Sequence, residues 1–314
     1  MLKVSELVTQ FGDYYIDEGQ NESRLLTQLR QKTTTTRHAK SIIHDGELYR
    51  FANVALGEVV QQFQKAFTPK GLLEFQPNEI RLRNIKADLE LHPDDLKGTW
   101  AGFLIDKDTN DRGKWPIVRY AGEKQIIPQI HNDMELKAYY KGKYKEPVNG
   151  TPGSTSDVID GVGTLLDAGI ADGSMQVVSL SGAVSKANAF DMVEEFVENF
   201  DASLEGTQMQ LFCDPKILRW YHQDKRNTHG ADVNYDPKNP TVDFSTCKLI
   251  GLPSMAGVKA FWATPEGNFL SIRRKNGMNK PVLQDFDRSV KFMTDWWEGL
   301  GFGYNELVYV ATWV

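Results

Sequence analysis

Apolar positions recur along this chain at two spacings, near 3.6 residues and at two, and the changes between them divide it into segments. Residues 51–67, FANVALGEVVQQFQKAF, place Val54, Val59, Phe63 and Phe67 at spacings that fit one helix face, closed by Thr68-Pro69-Lys70-Gly71. Leu72–Phe75 and Glu79–Leu91 follow as extended runs. In the second, Ile85, Ala87, Leu89 and Leu91 share one face at period two, with Lys86, Asp88 and Glu90 on the other, the pattern of a half-exposed strand. Together the two runs predict a long, charged hairpin over residues 68–95. Trp115–Tyr140 is the longest helical candidate, with Pro116 in its first turn, Gly142 past its end and Lys137, Lys141 and Lys143 complementing the dipole there. Ile127, Ile130, Met134 and Ala138 form its stripe, and Pro128 must kink or split it because it has no N–H to donate. Unbroken, about 25 residues would reach ~38 Å, longer than a compact domain needs.

Tyr144–Gly173 is rich in Gly, Pro, Ser and Asp and reads as a passage between two subdomains. Beyond it the pattern becomes α/β. Gln176–Leu180 predicts a short strand, and Asn188 caps a helix whose stripe is Phe190, Val193, Val197 and Phe200. Met209–Cys213 reads as a buried strand, and Asp214-Pro215 opens a helix with Ile217, Leu218 and Tyr221 inward; Asp224–Thr241 reads as a polar loop. Val258–Thr264 and Phe269–Arg274 flank Pro265-Glu266-Gly267-Asn268, the chemistry of a hairpin connection. Val290, Phe292, Trp296 and Trp297 lead to Gly299, Gly301 and Gly303, and Leu307–Val314 is a last strand. Residues 1–50 are polar; Leu25, Leu26 and Leu29 offer one short helical face, and the run Thr33-Thr34-Thr35-Thr36 has poor helix propensity and no core face. Two readings of this segment stand side by side, an extended arm lying on an assembly and a disordered tail.

Composition changes the picture little. The 314 residues are 40% hydrophobic and 25% charged, an ordinary soluble balance, and the net charge of −6 argues against a dedicated nucleic-acid binder. Two cysteines, Cys213 and Cys247, with no CxxC, read as reduced, buried thiols. With no signal-peptide core and no run of about 18 apolar residues, the expectation is a protein that stays in the cytoplasm where it is made, with no membrane partner.

Candidate chemistry is thin. The six histidines (His38, His44, His92, His131, His222 and His229) form no metal-ligand spacing, and His222 and His229 read as solvated loop residues. Ser181 sits in LSGA and not in a nucleophile elbow; Gly161-Val162-Gly163 lacks the third glycine of a dinucleotide loop and reads as flexible linker. The adjacent carboxylates Asp94-Asp95 and Glu194-Glu195 diverge and read as solvated charges. The sequence therefore predicts no enzyme, no metal and no cofactor; a soluble α/β enzyme with its cleft in residues 151–250 is the rival. Of Trp296-Trp297, alternation turns one inward as core and leaves its neighbour for an interface. Arg273-Arg274-Lys275 beside Lys280 fits three roles: facing DNA, pairing with the acidic arm of a neighbour, or a solvated hairpin end.

The C-terminal third carries a resemblance. Ala263-Thr264-Pro265-Glu266-Gly267-Asn268, the run Arg288–Phe292, and Gly299–Phe302 followed by Asn305-Glu306-Leu307 are similar to the end of major capsid proteins of tailed bacteriophages, with Glu266 where a basic residue and Asn305 where a proline is usual. The resemblance covers the last 120 or so residues well and the first 50 hardly at all. It implies an α+β chain of the Hong Kong 97 phage-type capsid fold. The N-terminal arm would be 1–50, the helix and extended loop 51–95, a peripheral domain with its spine helix 96–150, an axial domain 151–244, and return strands 245–314. It implies self-assembly as hexamers and pentamers into an icosahedral shell around double-stranded DNA, built in the host cytoplasm. Portal, scaffold and decoration proteins would be the further partners, and an encapsulin-like nanocompartment is the alternative within the same fold. Arg81, Arg83, Lys86, Asp88 and Glu90 are too many charges for a strand buried on both faces; with Trp296 and Trp297 they are the candidate intersubunit contacts.

Overall fold

The computed structural model describes residues 33–56, 59–71, 73–105, 117–229, 241–275, 281–287 and 289–313, with residues 6, 9 and 28. The predicted helical face Leu25, Leu26 and Leu29 lies outside them. The chain is α+β. In order it forms α1 (Thr34–Arg37), β1 (Lys40–His44), β2 (Leu48–Leu56), β3 (Leu73–Arg81), β4 (Arg83–Leu91) and α2 (Pro93–Ile105). A long helix α3 spans residues 117–138, followed by α4 (Val162–Ala171), β5 (Gln176–Leu180), α5 (Ala189–Glu198), β6 (Met209–Cys213) and α6 (Pro215–His229). The last elements are β7 (Lys248–Gly251), β8 (Trp262–Pro265), β9 (Phe269–Arg274), β10 (Val282–Phe286), β11 (Ser289–Phe302) and β12 (Tyr309–Trp313).

Two five-stranded sheets organise these elements. One runs β5-β12-β8-β6-β7, and the other β1-β9-β11-β10 with β4 along the far side of β11. The first packs α5 and α6 through Phe190, Val193, Phe196, Ile217 and Tyr221 against Leu211 and Phe261. Between the sheets, the long helix and α4 lies a second core, centred on Trp262, whose ring stacks on Phe212 at 4.3 Å and meets Phe269 and Phe302 edge-on. This core explains why Pro265–Asn268 is not a hairpin. β8 pairs with β6 and β12, and β9 with β1 and β11, so the turn carries the chain from one sheet to the other. Asn268 secures it: its amide donates to Thr264 Oγ1 and the Tyr304 carbonyl, each at 2.8 Å, and its Oδ1 accepts from Tyr304 N at 2.7 Å.

The first half departs further from the sequence pattern. Residues 48–56 are strand and not helix, and they pair antiparallel with β3 from Leu48↔Arg81 to Leu56↔Leu73. β4 turns away at Leu82 and pairs with β11, so the projecting hairpin is β2–β3, residues 48–81, and not 68–95. The physical reason is that pairing across nine residues satisfies every second backbone group of both runs. A helix there would carry Gly57 in its interior at a cost of about 1 kcal/mol.

The long helix accommodates Pro128 with π turns. Ile127 N donates to Gly122 O, and Tyr139 N to Met134 O. The wider first turn sets Pro128 at the start of a new α segment, where no N–H is required. Ile127, Met134 and Ala138 are buried as the stripe predicts, and Ile130 half-buried. The threonine run forms the helical turn α1, capped by Thr33 and Thr36, with Thr35 and Thr36 buried. Nor is Gly161-Val162-Gly163 a flexible linker: Gly161 N donates to Gly142 O and Val162 N to Tyr139 O, docking α4 on the end of the long helix. Asp224–His229 continues α6, where a loop was expected; residues 230–240 lie outside the described residues.

A Cβ on Gly161 would sit 2.5 Å from Ala138 O and 2.7 Å from Tyr140 O, backbone atoms that cannot turn aside. Gly161→Ala is therefore expected to lower stability by about 1–3 kcal/mol in urea unfolding, while Gly182→Ala, with nothing within 4 Å, serves as the control.

Candidate intersubunit surfaces

The β2–β3 hairpin is rooted firmly. Ile80 and Leu82 are buried against Leu270 and Ile272, with Ile42, Tyr49, Phe51 and Trp297 packed around them. Leu82 N donates to Glu47 O at 2.8 Å, and Asn78 Nδ2 to Phe302 O at 3.1 Å. The crossing of this root over β11 explains the glycines near its end: a Cβ on Gly299 would lie 2.6 Å from Arg81 O. From that root the chain runs out to residues 59–71, every one of them exposed. They include Val60, Phe63 and Phe67, with Phe63 at 94% and Phe67 at 93% relative exposure, values that leave these rings no burial within the chain. Lys70 Nζ donates to Val60 O, and Gln61 Nε2 to Thr68 O, drawing the two sides of this apolar tip together. Sequence periodicity missed the tip because Val59, Phe63 and Phe67 fit a helix face; the usable signal was Gly57, which divides the run.

The candidate contacts chosen from sequence are distributed differently. Arg81 is exposed at the hairpin root. Arg83 packs over the Tyr144 ring at 3.4 Å and lies 4.0 Å from Asp160. Lys86 reaches Asp88 at 2.6 Å, both exposed, while Glu90 accepts from Ser289 Oγ. In the β4–β11 register Arg83, Lys86 and Glu90 stand opposite Glu298, Asp295 and Lys291, so the charges face complements within the chain. Trp296 and Trp297 point to opposite faces as alternation requires, but both are half-buried. Trp296 joins the inter-sheet core, and Trp297 the hairpin root beneath Arg274, 5.0 Å from its ring centroid. The basic stretch is likewise engaged, since Arg274 also donates to Asp45 O.

Two buried carboxylates that the sequence did not single out hold these surfaces in place. Glu298, 1% exposed, accepts from Arg273 at 3.2 Å, from Trp296 Nε1 at 3.2 Å and from the Tyr139 hydroxyl at 3.4 Å. Burial, with the Glu298 charge second, pushes the Tyr139 phenol well above its usual range, so it remains a donor; Glu298 in turn raises Arg273. One turn earlier on the same helix, Glu135 accepts from Thr35 N and from Thr35 Oγ1 at 2.6 Å, and Thr35 Oγ1 lies 2.7 Å from Ser254 Oγ.

No constellation for catalysis forms among the described residues. Ser181 Oγ donates to Glu195, with no imidazole in the pair, and no group of three or more His, Cys, Asp or Glu is placed to hold a metal. Cys213 and Cys247 are free and buried, and burial raises both thiols, Cys247 to about 12. Burial, then Arg37, lowers His38 from its ordinary 6.5, and burial, then Lys225, lowers His222. Among the described residues no helix is long and apolar enough to cross a membrane.

The arrangement of a rooted hairpin, a long helix under one sheet and a second α/β sheet has close parallels among solved structures. A chain of the satellite phage P4 procapsid that includes the size-determination protein Sid superposes with a TM-score of 0.62 at 10% identity, over 93% of this chain and 91% of that one. The chain has the Hong Kong 97 phage-type capsid fold. The capsid of a native GTA particle (TM-score 0.56, 12% identity, 90% and 91% of the two chains) and the capsid of the myovirus phage XM1 (0.54, 12%, 90% and 93%) share it. No family model and no curated protein matches the sequence, so the capsid fold is legible here in three dimensions and only faintly in residue identity.

Glu298→Gln would leave the Arg273 guanidinium, largely buried, without its counter-charge, and is expected to cost about 3 kcal/mol in denaturant unfolding. The two histidines set a pH dependence. Each binds a proton less readily folded than unfolded, so their contribution is complete above about pH 6.5 and is lost as pH falls below it. The melting temperature should fall on acidification from about pH 7 to pH 5, and fall less in a His38→Gln, His222→Gln double variant.

Proposed function

We propose that this chain is the major capsid protein of a tailed phage, assembling with copies of itself as pentamers and hexamers into a closed shell around double-stranded DNA. The observation that carries this reading is the hairpin. A root fixed by burial and hydrogen bonds presents thirteen consecutive exposed residues that include Val60, Phe63 and Phe67. Alone in solution such a loop is an aggregation hazard; against a neighbour, each phenylalanine it buries contributes about 1.5–3 kcal/mol. Many copies of one modest contact, repeated by symmetry, close a shell without any single contact being strong. The extended loop of the assembly is then residues 48–81. β4 belongs to the body, and of the charged candidates Arg81, Lys86, Asp88 and Glu90 are the exposed ones.

The role is structural and not enzymatic, supported by the capsid fold and by the way polar side chains are used to fasten elements together. The shell would make non-specific contacts with DNA on its inner face. Portal, scaffold and decoration proteins would be its further partners, and the virion its location after assembly in the host. The division into an arm, a peripheral domain carrying the long helix, an axial domain around the β5-β12-β8-β6-β7 sheet and C-terminal return strands belongs to the same reading.

Replacing residues 57–72 with a short Gly/Ser linker should leave a folded subunit, by circular dichroism and melting temperature, that no longer closes shells in negative-stain images. Closed particles of normal size from that variant would remove the hairpin from the interface. Nuclease-protected DNA inside particles from producing cells supports the phage reading, and protein cargo without DNA would replace it with a nanocompartment.

A further inference from the structure

Among the described residues two that are not glycine hold a positive φ, Phe244 at 55° and Asp287 at 49°. For an aromatic residue this backbone region is strained. Phe244 is also fully exposed, so its ring gains no burial within the chain in exchange. The turn that imposes both conditions is tightly built. Val242 and Cys247, each 1% exposed, anchor its two ends, and Val242 N donates to Cys247 O at 2.9 Å. Ser245 donates to Val242 O through its N and its Oγ, and accepts from Cys247 N. Thr246 Oγ1 donates to Thr207 O at 2.8 Å, and Asp243 pairs with Lys225 at 2.5 Å. Every neighbour of Phe244 is fastened to the body, and the ring alone is held out.

The turn leads directly into β7, among the described residues the outermost named strand at one margin of the β5-β12-β8-β6-β7 sheet. At the opposite margin β5 pairs only with β12 among the described residues and presents Gln176, Val177 and Ser179 to solvent. An uncovered strand edge with an exposed valine is a surface that chains normally protect. Two margins of one sheet face opposite ways, so a contact joining them is head-to-tail, the kind that closes into rings.

The geometry points to Phe244 as the anchor of a lateral contact between adjacent copies of this chain, seated against the β5 margin of the next copy. The inference rests on the shell reading and adds to it a residue, a partner surface and a direction. A residue whose backbone is already held in place by its neighbours loses less freedom on association, which favours it as an anchor.

The test compares the full chain with Phe244→Gly and Phe244→Ala by sedimentation velocity and negative-stain microscopy over a concentration series, together with the melting temperature of unassembled subunits. Glycine removes the ring and suits the positive φ, so the subunit should melt at the same temperature or higher. The concentration at which half the chain assembles should rise about tenfold or more. Unchanged assembly overturns the inference while leaving the shell reading intact. A lower melting temperature for Phe244→Gly also overturns it, because the ring would then be packing on its own chain, residues 230–240 included. A wild-type chain that forms no particles sinks the shell reading and this contact with it. A Phe244→Cys, Val177→Cys double variant, in which both native thiols are buried, should oxidise to a ladder ending at pentamers and hexamers. Dimers from Phe244→Cys alone would set two copies face to face and exclude the head-to-tail arrangement.

Discussion

A carboxylate out of water is tolerated only where donors converge on it, and Glu298 is placed where three elements must meet for that to happen. It stands on β11 opposite both Arg83 of β4 and Arg273 of β9, and it receives hydrogen bonds from Arg273, Trp296 and, from the long helix, Tyr139. The sheet cannot slip along the helix by one residue without stranding that charge. Glu135, four residues before Tyr139, applies the same constraint to the segment entering β1, through Thr35. Apolar packing alone would allow the helix several depths and rotations; the two buried charges select one.

That selection gives the hairpin a direction. β1, β9 and β11 form the floor on which Ile80 and Leu82 are buried, and the same β11 glycines that admit the root continue the strand bearing Glu298. The base of the hairpin is fixed by the sheet whose register the buried carboxylate sets. The Trp262 cluster performs the corresponding task between the two sheets, with the Pro265–Asn268 turn as the covalent link.

Much of the polar chemistry of this chain is spent on fastening, and its uncovered apolar side chains include those of the 59–71 tip, the Phe244 turn and the β5 edge. The exposed apolar groups are the observation on which the proposed contacts between copies rest.

Local sequence determined what local physics can decide. The stripe of the long helix, the strands at Gln176–Leu180 and Met209–Cys213, the Asp214-Pro215 start of α6 and the final strand all follow from period and capping, because each needs only one apolar neighbour, whichever it is. The C-terminal motifs carried enough of the resemblance to anticipate the fold. Pairing partners were another matter. A run such as Arg83–Leu91 shows that it is a half-buried strand but not whether β3 or β11, some two hundred residues away, lies beside it; only the tertiary structure decided that. It likewise turned a predicted helix into β2, because nine residues of β3 were available to pair with it, and a predicted hairpin into a bridge between sheets, because one aromatic cluster packs from both sides. Glu135 and Glu298 look in sequence like any other solvated acid. Their burial is decided by residues about one hundred and one hundred sixty positions away, Thr35 and Tyr139, and no local pattern records a donor that distant.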